Sequence, residues 1–410
     1  MSEEIRLLDK IRAEKIEYDK YFLKFNPFPE TGIAPQHPPF CAGRDDALNR
    51  IYDFIAEIYN HESVSGMVVL GVIGGGKTHI LRYVRDKINL ELKDLLTGKA
   101  LAIYVESPQT GVLHIYSEFM SKIGITLFTQ VLWEIISTEL SREINENKLT
   151  LNQLTSKTGL LQYALKEKTS IDLTRLTKDL EFLRSQVESG NLSKKEFEKI
   201  FRRYLNSYIE DEDFLICSVK LLLEEKPTLL NEIWKFISGQ RVSKEIQKKL
   251  GLTRPSLSSR DINLSIFRSV INLFRRAGYR ALFLLLDEVE NLANLSPKTR
   301  FIVLDEIRNF FDIVPSSFGL ILACVPRDWQ QIMATYPALQ SRIKHIIELK
   351  YMEPEEAFEL VKAYISSART KEIQDPIYPF TKEAIFEICK TKKGIVRYIV
   401  ETCHHLLKEG

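Results

Sequence analysis

The apolar positions of this chain follow two periods. Short, nearly unbroken apolar runs stand at Met67-Val68-Val69-Leu70, Ala100 to Val105, Ala281 to Leu286, Gly319 to Val325 and His345 to Leu349. Runs of this length, bounded by glycine, proline or acidic residues, predict strands buried on both faces. Elsewhere the period is helical: from Asp45 through Tyr59, from His79 to Arg85, and almost without interruption from Gly111 to Gly278. A charged stretch from Glu3 to Phe25 carries Ile5, Leu8, Ile11, Ile16 and Phe22 at amphipathic spacing, and a proline-rich connector runs from Asn26 to Pro39. Everything from Glu353 onward is helical in pattern and reads as a small bundle. Apolar strands alternating with helices are what a parallel sheet covered on both sides requires. The predicted fold class is therefore α/β, a parallel five-stranded sheet sandwiched by helices. The predicted divisions are 1–39, 40–110, 111–278, 279–350 and 351–410, with 111–278 a large helical insertion between two parts of one core. No internal repeat or low-complexity tract is visible.

Composition narrows the setting more than the chemistry. At 410 residues, 44% hydrophobic and 27% charged, the chain is ordinary for a globular protein of two or three domains. Its net charge of +2 gives no global attraction to nucleic acid or anionic membrane. The strongest apolar run, Ala281 to Leu286, is only six residues, so no membrane span is expected. Met1-Ser2-Glu3-Glu4 lacks the start of a secretory signal. Five scattered cysteines, never spaced C-x-x-C, predict reduced thiols in a cytoplasm and no zinc site. Cys403-His404-His405 does not change this, because neighbouring residues on a helix point in different directions.

One segment breaks the charge balance. Arg241, Lys244, Lys248, Lys249, Arg254, Arg260, Arg268, Arg275, Arg276 and Arg280 are opposed within 241–280 only by Glu245 and Asp261. Such a concentration is either a contact for a nucleic-acid phosphate backbone, a clamp on an acidic partner, or a solvated helical surface.

Residues 71–78, Gly71-Val72-Ile73-Gly74-Gly75-Gly76-Lys77-Thr78, match the pattern G-x-x-x-x-G-K-[ST] in full. They lie between a predicted strand and a helix that opens at His79, as a phosphate-binding loop requires. The glycines free backbone N–H groups to curl around phosphate oxygens. Lys77 would reach the β- and γ-phosphates of ATP, and the Thr78 hydroxyl would ligate Mg²⁺. Asp287-Glu288 ends the third predicted strand: the aspartate would hold Mg²⁺ and the glutamate would polarise the attacking water. Arg342, just before the fifth strand, is placed to reach a transferring phosphoryl group across a subunit interface, or else is a solvated residue at a helix end. Arg397 in the terminal bundle could touch the γ-phosphate and report its loss. The fourth strand ends Cys324-Val325-Pro326-Arg327-Asp328, without the Asn or Thr that usually positions water in such ATPases.

Taken in order, these landmarks resemble the AAA+ ATPases of the additional-strand (ASCE) P-loop class, in the branch near the Orc/Cdc6 initiators and the transposition ATPases. The residues that carry the resemblance are Phe40-x-x-Gly43-Arg44, the phosphate loop, Asp287-Glu288, Ser341-Arg342 and Gly394-x-x-Arg397. It covers roughly 40–110 and 280–410, and implies a C-terminal helical lid, an oligomer, and a nucleotide held near Phe40, Arg44 and His79. A narrower likeness runs through Trp234-Lys235-Phe236-Ile237-Ser238-Gly239, Leu250-Gly251-Leu252 and Gly278-Tyr279-Arg280 into Asp287-Glu288-Val289-Glu290-Asn291-Leu292. This is similar to the P-loop ATPases of bacterial and archaeal anti-phage BREX loci, and implies a role in defence against foreign DNA. The long insertion and the lack of a winged helix depart from the initiators and argue against origin recognition.

The function expected is an oligomeric ATPase that couples Mg-ATP binding and hydrolysis to conformational change on a DNA or protein partner. Two alternatives are a nucleotide-gated scaffold with little turnover and a small-molecule kinase. The second is disfavoured, because such kinases lack the Ser-Arg pair and the Gly-x-x-Arg bundle.

Overall fold

The computed structural model describes residues 18–108, 111–146 and 171–409. Five strands, β1 (Val64–Gly71), β2 (Lys99–Glu106), β3 (Tyr279–Asp287), β4 (Phe318–Cys324) and β5 (Ile343–Leu349), form one sheet in the order β2-β3-β4-β1-β5. Every neighbouring pair is parallel. All five strands stand where the apolar runs predict them, most of them longer by a few residues. β1 begins earlier because Ser65, a polar residue that ended the apolar pattern, is buried within it.

The strands alternate their side chains between two cores, as the pleat demands. Met67, Val69, Phe283 and Leu285 point to one face, where the helices Asp45–His61 and Lys77–Glu91 cover them with Leu48, Ile51, Phe54, Ile80 and Val84. Val68, Leu282, Leu284 and Leu286 point to the other, larger face. That face is covered by Pro297–Ile313 and by helices from between β2 and β3, chiefly Val112–Asn145 and Phe267–Arg276. Phe267 stacks on Phe310 with ring centres 4.3 Å apart and meets Phe119 and Phe318 edge-on. The helical insertion thus helps to cover one face of the sheet.

Val112–Asn145 bears on the expectation that the chain has no membrane span. By length and composition this helix could cross a membrane, which unbroken apolar runs did not reveal. Only half of its most apolar window is buried within the fold. The residues that are buried, Ile115, Phe119, Phe128 and Leu132 among them, belong to the core, and the backbone breaks at Gly124 (φ 74°, ψ 157°). The core it builds accounts for the apolar residues that it buries.

A third core joins three C-terminal helices, Pro354–Ala368, Lys382–Thr391 and Val396–Glu409, to the proline-rich connector through Phe28 and to the segment just before it through Tyr18 and Leu23. Phe28 packs against Tyr364 and Phe380, and Asn26 Nδ2 donates to His404 O at 3.1 Å. Most of the predicted helix at Glu3–Phe25 lies outside the described residues. At the open edge of the sheet, Asn89 clasps β2: its Nδ2 donates to Ala102 O (2.9 Å) and Ala102 N donates to its Oδ1 (2.7 Å).

Candidate nucleotide-binding site

A cleft of about 350 Å³ opens at the carboxyl ends of β1 and β3, and most residues singled out in the sequence meet in it. The loop after β1 turns at Gly74 (φ 77°) and Gly76 (φ 97°), in the left-handed region that side chains avoid. A Cβ at Gly74 would also sit 3.0 Å from Arg397 Cβ. The helix Lys77–Glu91 then starts with its backbone N–H groups at the cleft, the arrangement that favours an anion.

Lys77 is 7% exposed along its side chain, and its Nζ donates to Gly71 O (3.0 Å) and Val72 O (3.4 Å). Thr78 Oγ1 donates to Asp287 Oδ2 at 2.6 Å. Tyr104 OH donates to the same oxygen at 2.8 Å, and the Glu288 N–H donates to Oδ1 at 2.9 Å. Asp287 is therefore fixed from three sides although 1% exposed. Burial, with the Asp287 charge adding to it, pushes the Tyr104 phenol well above its ordinary range, so it stays a donor.

Glu288 sits in the left-handed region (φ 51°, ψ 37°) with its side chain exposed to the cleft. Asn291 Nδ2 donates to Glu288 Oε2 at 3.1 Å and to Ser107 Oγ at 2.7 Å. Glu290 lies two residues on, with Oε1 3.6 Å from Lys77 Nζ. Burial raises its carboxyl above the usual range while Lys77 pulls it back.

Arg397 reaches the cleft from the terminal helices. Its backbone N–H donates to Gly74 O at 3.0 Å, and its buried Nε has no hydrogen-bond partner among the described residues. Phe40 and Arg44 brace the loop from outside the cleft. Phe40 meets Tyr364 edge-on at 4.9 Å, its carbonyl lies 2.7 Å from His79 Nε2, and Arg44 Nη2 donates to Gly75 O at 3.3 Å. Burial holds the His79 imidazole below its ordinary pKa.

Arg342 lies elsewhere. It precedes β5, whose first residue Ile343 pairs with Gly66 near the start of β1, so it sits at the end of the sheet opposite the loop. It is half-exposed and ion-paired with Asp312. At the end of β4, Cys324 pairs in register with Leu70, and burial pushes its thiol well above the ordinary range. Neither Arg327 nor Asp328 lines the cleft.

The sequence reading missed two contributors. Gly32, Ile33 and Ala34 of the connector form one wall of the cleft. Arg82 holds them, donating to Ala34 O (2.7 Å) and to Glu106 Oε1 (2.6 Å), while Arg85 donates to Gln36 O (2.5 Å). The signal was present in two arginines three apart on the loop's own helix, which need acceptors, and in a stiff proline-rich segment that could supply them. Glu290 is the second.

The donor set fits a nucleoside triphosphate with a divalent cation. A glycine cradle, a buried ammonium and an orphaned guanidinium nitrogen suit phosphate, and the Thr78–Asp287 oxygen pair suits a hard ion such as Mg²⁺.

The basic segment is less available than its composition suggests. Arg254 is bonded to Asp211 and Asp261, Arg268 to Glu210, Arg275 to Glu62 and Arg276 to Glu139. Arg280 donates to the carbonyls of Tyr59 and Asn60. Arg241 and Lys249 instead line a second concavity, beside Lys235 and Ser243.

Comparison with known proteins gives one family. Residues 219–361, about a third of the chain, match the model for BREX system ATP-binding protein BrxC/D. No curated protein matches the chain. The matched stretch contains β3 with Asp287-Glu288, β4, β5 and Arg342, and begins well after the phosphate loop. Over it, this chain is similar to the BREX ATP-binding proteins.

Proposed function

We propose that this chain is an ATP hydrolase of the AAA+ kind that acts in BREX-type defence against phage, coupling nucleotide state to movement of its helical parts. One observation carries the reading: Thr78 and Asp287, far apart in sequence, meet at 2.6 Å in the cleft that also holds Lys77, Glu288 and Arg397. The strand order supports it, since β4 stands between β1 and β3 as the additional-strand class requires. The family match supports the defence setting.

In this reading the loop amides and Lys77 bind the β- and γ-phosphates of ATP, and Ile33, Tyr364 and Val396 offer an apolar wall to its base. Thr78 and Asp287 would hold Mg²⁺, which when bound neutralises charge on the phosphates. Glu288 would orient a water and accept its proton. Arg397 would bond the terminal phosphate in cis, so that its loss frees the C-terminal helices, which then act as a lid. Arg342, facing away from its own cleft, would serve the cleft of a neighbouring copy in a homo-oligomer. A phosphate backbone would contact the side chains of Arg241, Lys244, Lys248 and Lys249, and a protein partner the other faces of the insertion.

A second reading, a nucleotide-gated scaffold with little turnover, is favoured by two details: β4 ends in a buried thiol, and Asn291 holds Glu288. Nucleotide binding and phosphate release should be measured on the full chain beside Lys77→Ala and Glu288→Gln. Binding weakened in the first and turnover lost in the second supports the hydrolase. Binding without measurable turnover in the parent chain supports the scaffold. No ATP binding by the parent chain rejects both.

A further inference from the structure

Glu290 lines the cleft but has no part in the reaction just described. It stands in the turn Val289–Asn294, where Val289 and Leu292 are buried in the core and aim the intervening carboxylate at the loop. Its side chain is 21% exposed, Oε1 faces Lys77 Nζ at 3.6 Å, and Oε2 is buried without a hydrogen-bond partner among the described residues. Lys77 has three protons to give. Two go to Gly71 O and Val72 O, and the remaining direction faces Glu290. The cation that a triphosphate needs is thus already engaged by an anion of the chain's own.

We propose that Glu290 is a resident competitor for Lys77, holding the ammonium in place of a phosphoryl oxygen and setting the affinity of the site for triphosphate. The inference rests on the nucleotide reading given above. When a terminal phosphate takes Lys77, Glu290 loses its counter-charge in a poorly hydrated place and gains a second anion beside it. Both effects oppose binding. They weigh more on ATP than on ADP, because the γ-phosphate brings the extra charge. Glu290 acts through Lys77 and is a positioning residue.

The test is calorimetric titration of the full chain with ATP and with ADP, each in Mg²⁺ and in EDTA. The proteins are the parent, Glu290→Gln, Glu290→Asp, Lys77→Ala and the Lys77→Ala/Glu290→Gln pair, with thermal melts to verify folding. Glu290→Gln should tighten ATP about tenfold and ADP by less. Glu290→Asp, whose carboxylate is drawn back by one methylene, should show part of the gain, which keeps the test alive if the glutamine variant does not fold. In the Lys77→Ala background the gain should vanish.

Unchanged ATP affinity in a folded Glu290→Gln protein, with Lys77-dependent binding in the parent, overturns the inference and leaves the nucleotide site standing. So does a gain that persists without Lys77, which would be a general charge effect. A loss of affinity seen only with Mg²⁺ overturns it too and gives the carboxylate to the ion. A parent chain that binds no ATP removes the nucleotide reading itself.

Discussion

Gly394 shows how tightly a single residue fixes the terminal helices that wall the cleft through Val396 and Arg397. It adopts φ 65°, and a Cβ there would stand 2.4 Å from Met352 O, which no side-chain adjustment relieves. Gly394→Ala should therefore cost about 1–3 kcal/mol in stability from backbone strain alone. A lowered melting temperature with weakened ATP binding would bear this out, and an unchanged melt would refute it. Tyr104→Phe makes a smaller test. It removes one of three donors to Asp287 and should cost about 1 kcal/mol, read by denaturant titration. At this scale the sequence was readable where chemistry is contiguous. Gly71 to Thr78 and Asp287-Glu288 identify themselves, because loop and strand-end motifs are fixed by local geometry. Glu290 was opaque, since its importance lies in a partner on another element, Lys77, and Arg82 was half legible, its need for an acceptor visible but not the acceptor, Ala34 O.

The strands were legible as elements because burial on both faces leaves unbroken apolar runs. The role of the insertion was not, because a helix that covers a sheet and a helix in a separate bundle carry the same period. Phe267 gives the difference a magnitude. Fully buried among Phe119, Phe310 and Phe318, it joins the insertion to β4, and Phe267→Ala should destabilise the chain by about 3–5 kcal/mol. Were the insertion an independent appendage, calorimetry of this variant would show one early transition and an unshifted main one. The pairing within the basic segment was hidden for a related reason: charge counts in sequence do not register the acids that folding brings alongside. Arg254, Arg268, Arg275 and Arg276 are neutralised from elements outside or inside the segment, which leaves the turn and short helix at Arg241–Lys249 as the part to test. Replacing Arg241, Lys244, Lys248 and Lys249 by glutamine should flatten the salt dependence of DNA binding by about 0.9 in log–log slope for each phosphate that these side chains neutralise. An unaltered slope would remove nucleic acid from this surface.

For the whole molecule, the separation of Arg342 from the chain's own cleft has a measurable correlate. If it completes the cleft of a neighbour, ATPase rate per chain should rise with concentration, and Arg342→Ala should abolish the rise. Mixing Arg342→Ala with Lys77→Ala, each inactive alone, should then restore part of the rate, because some mixed pairs join an intact cleft to an intact arginine. A mixture as inactive as its parts would count against the arrangement. The clasp of Asn89 on Ala102 bears on how copies of this chain can meet at all. A parallel sheet with an open edge is a template onto which foreign strands add, and β2 offers that edge beside an apolar interior. By taking both polar groups of Ala102, Asn89 removes the middle rung from any such addition. Growth by strand upon strand, the route to domain exchange and fibrous precipitates, is interrupted there, and ordered self-association is left to surfaces where side chains can discriminate.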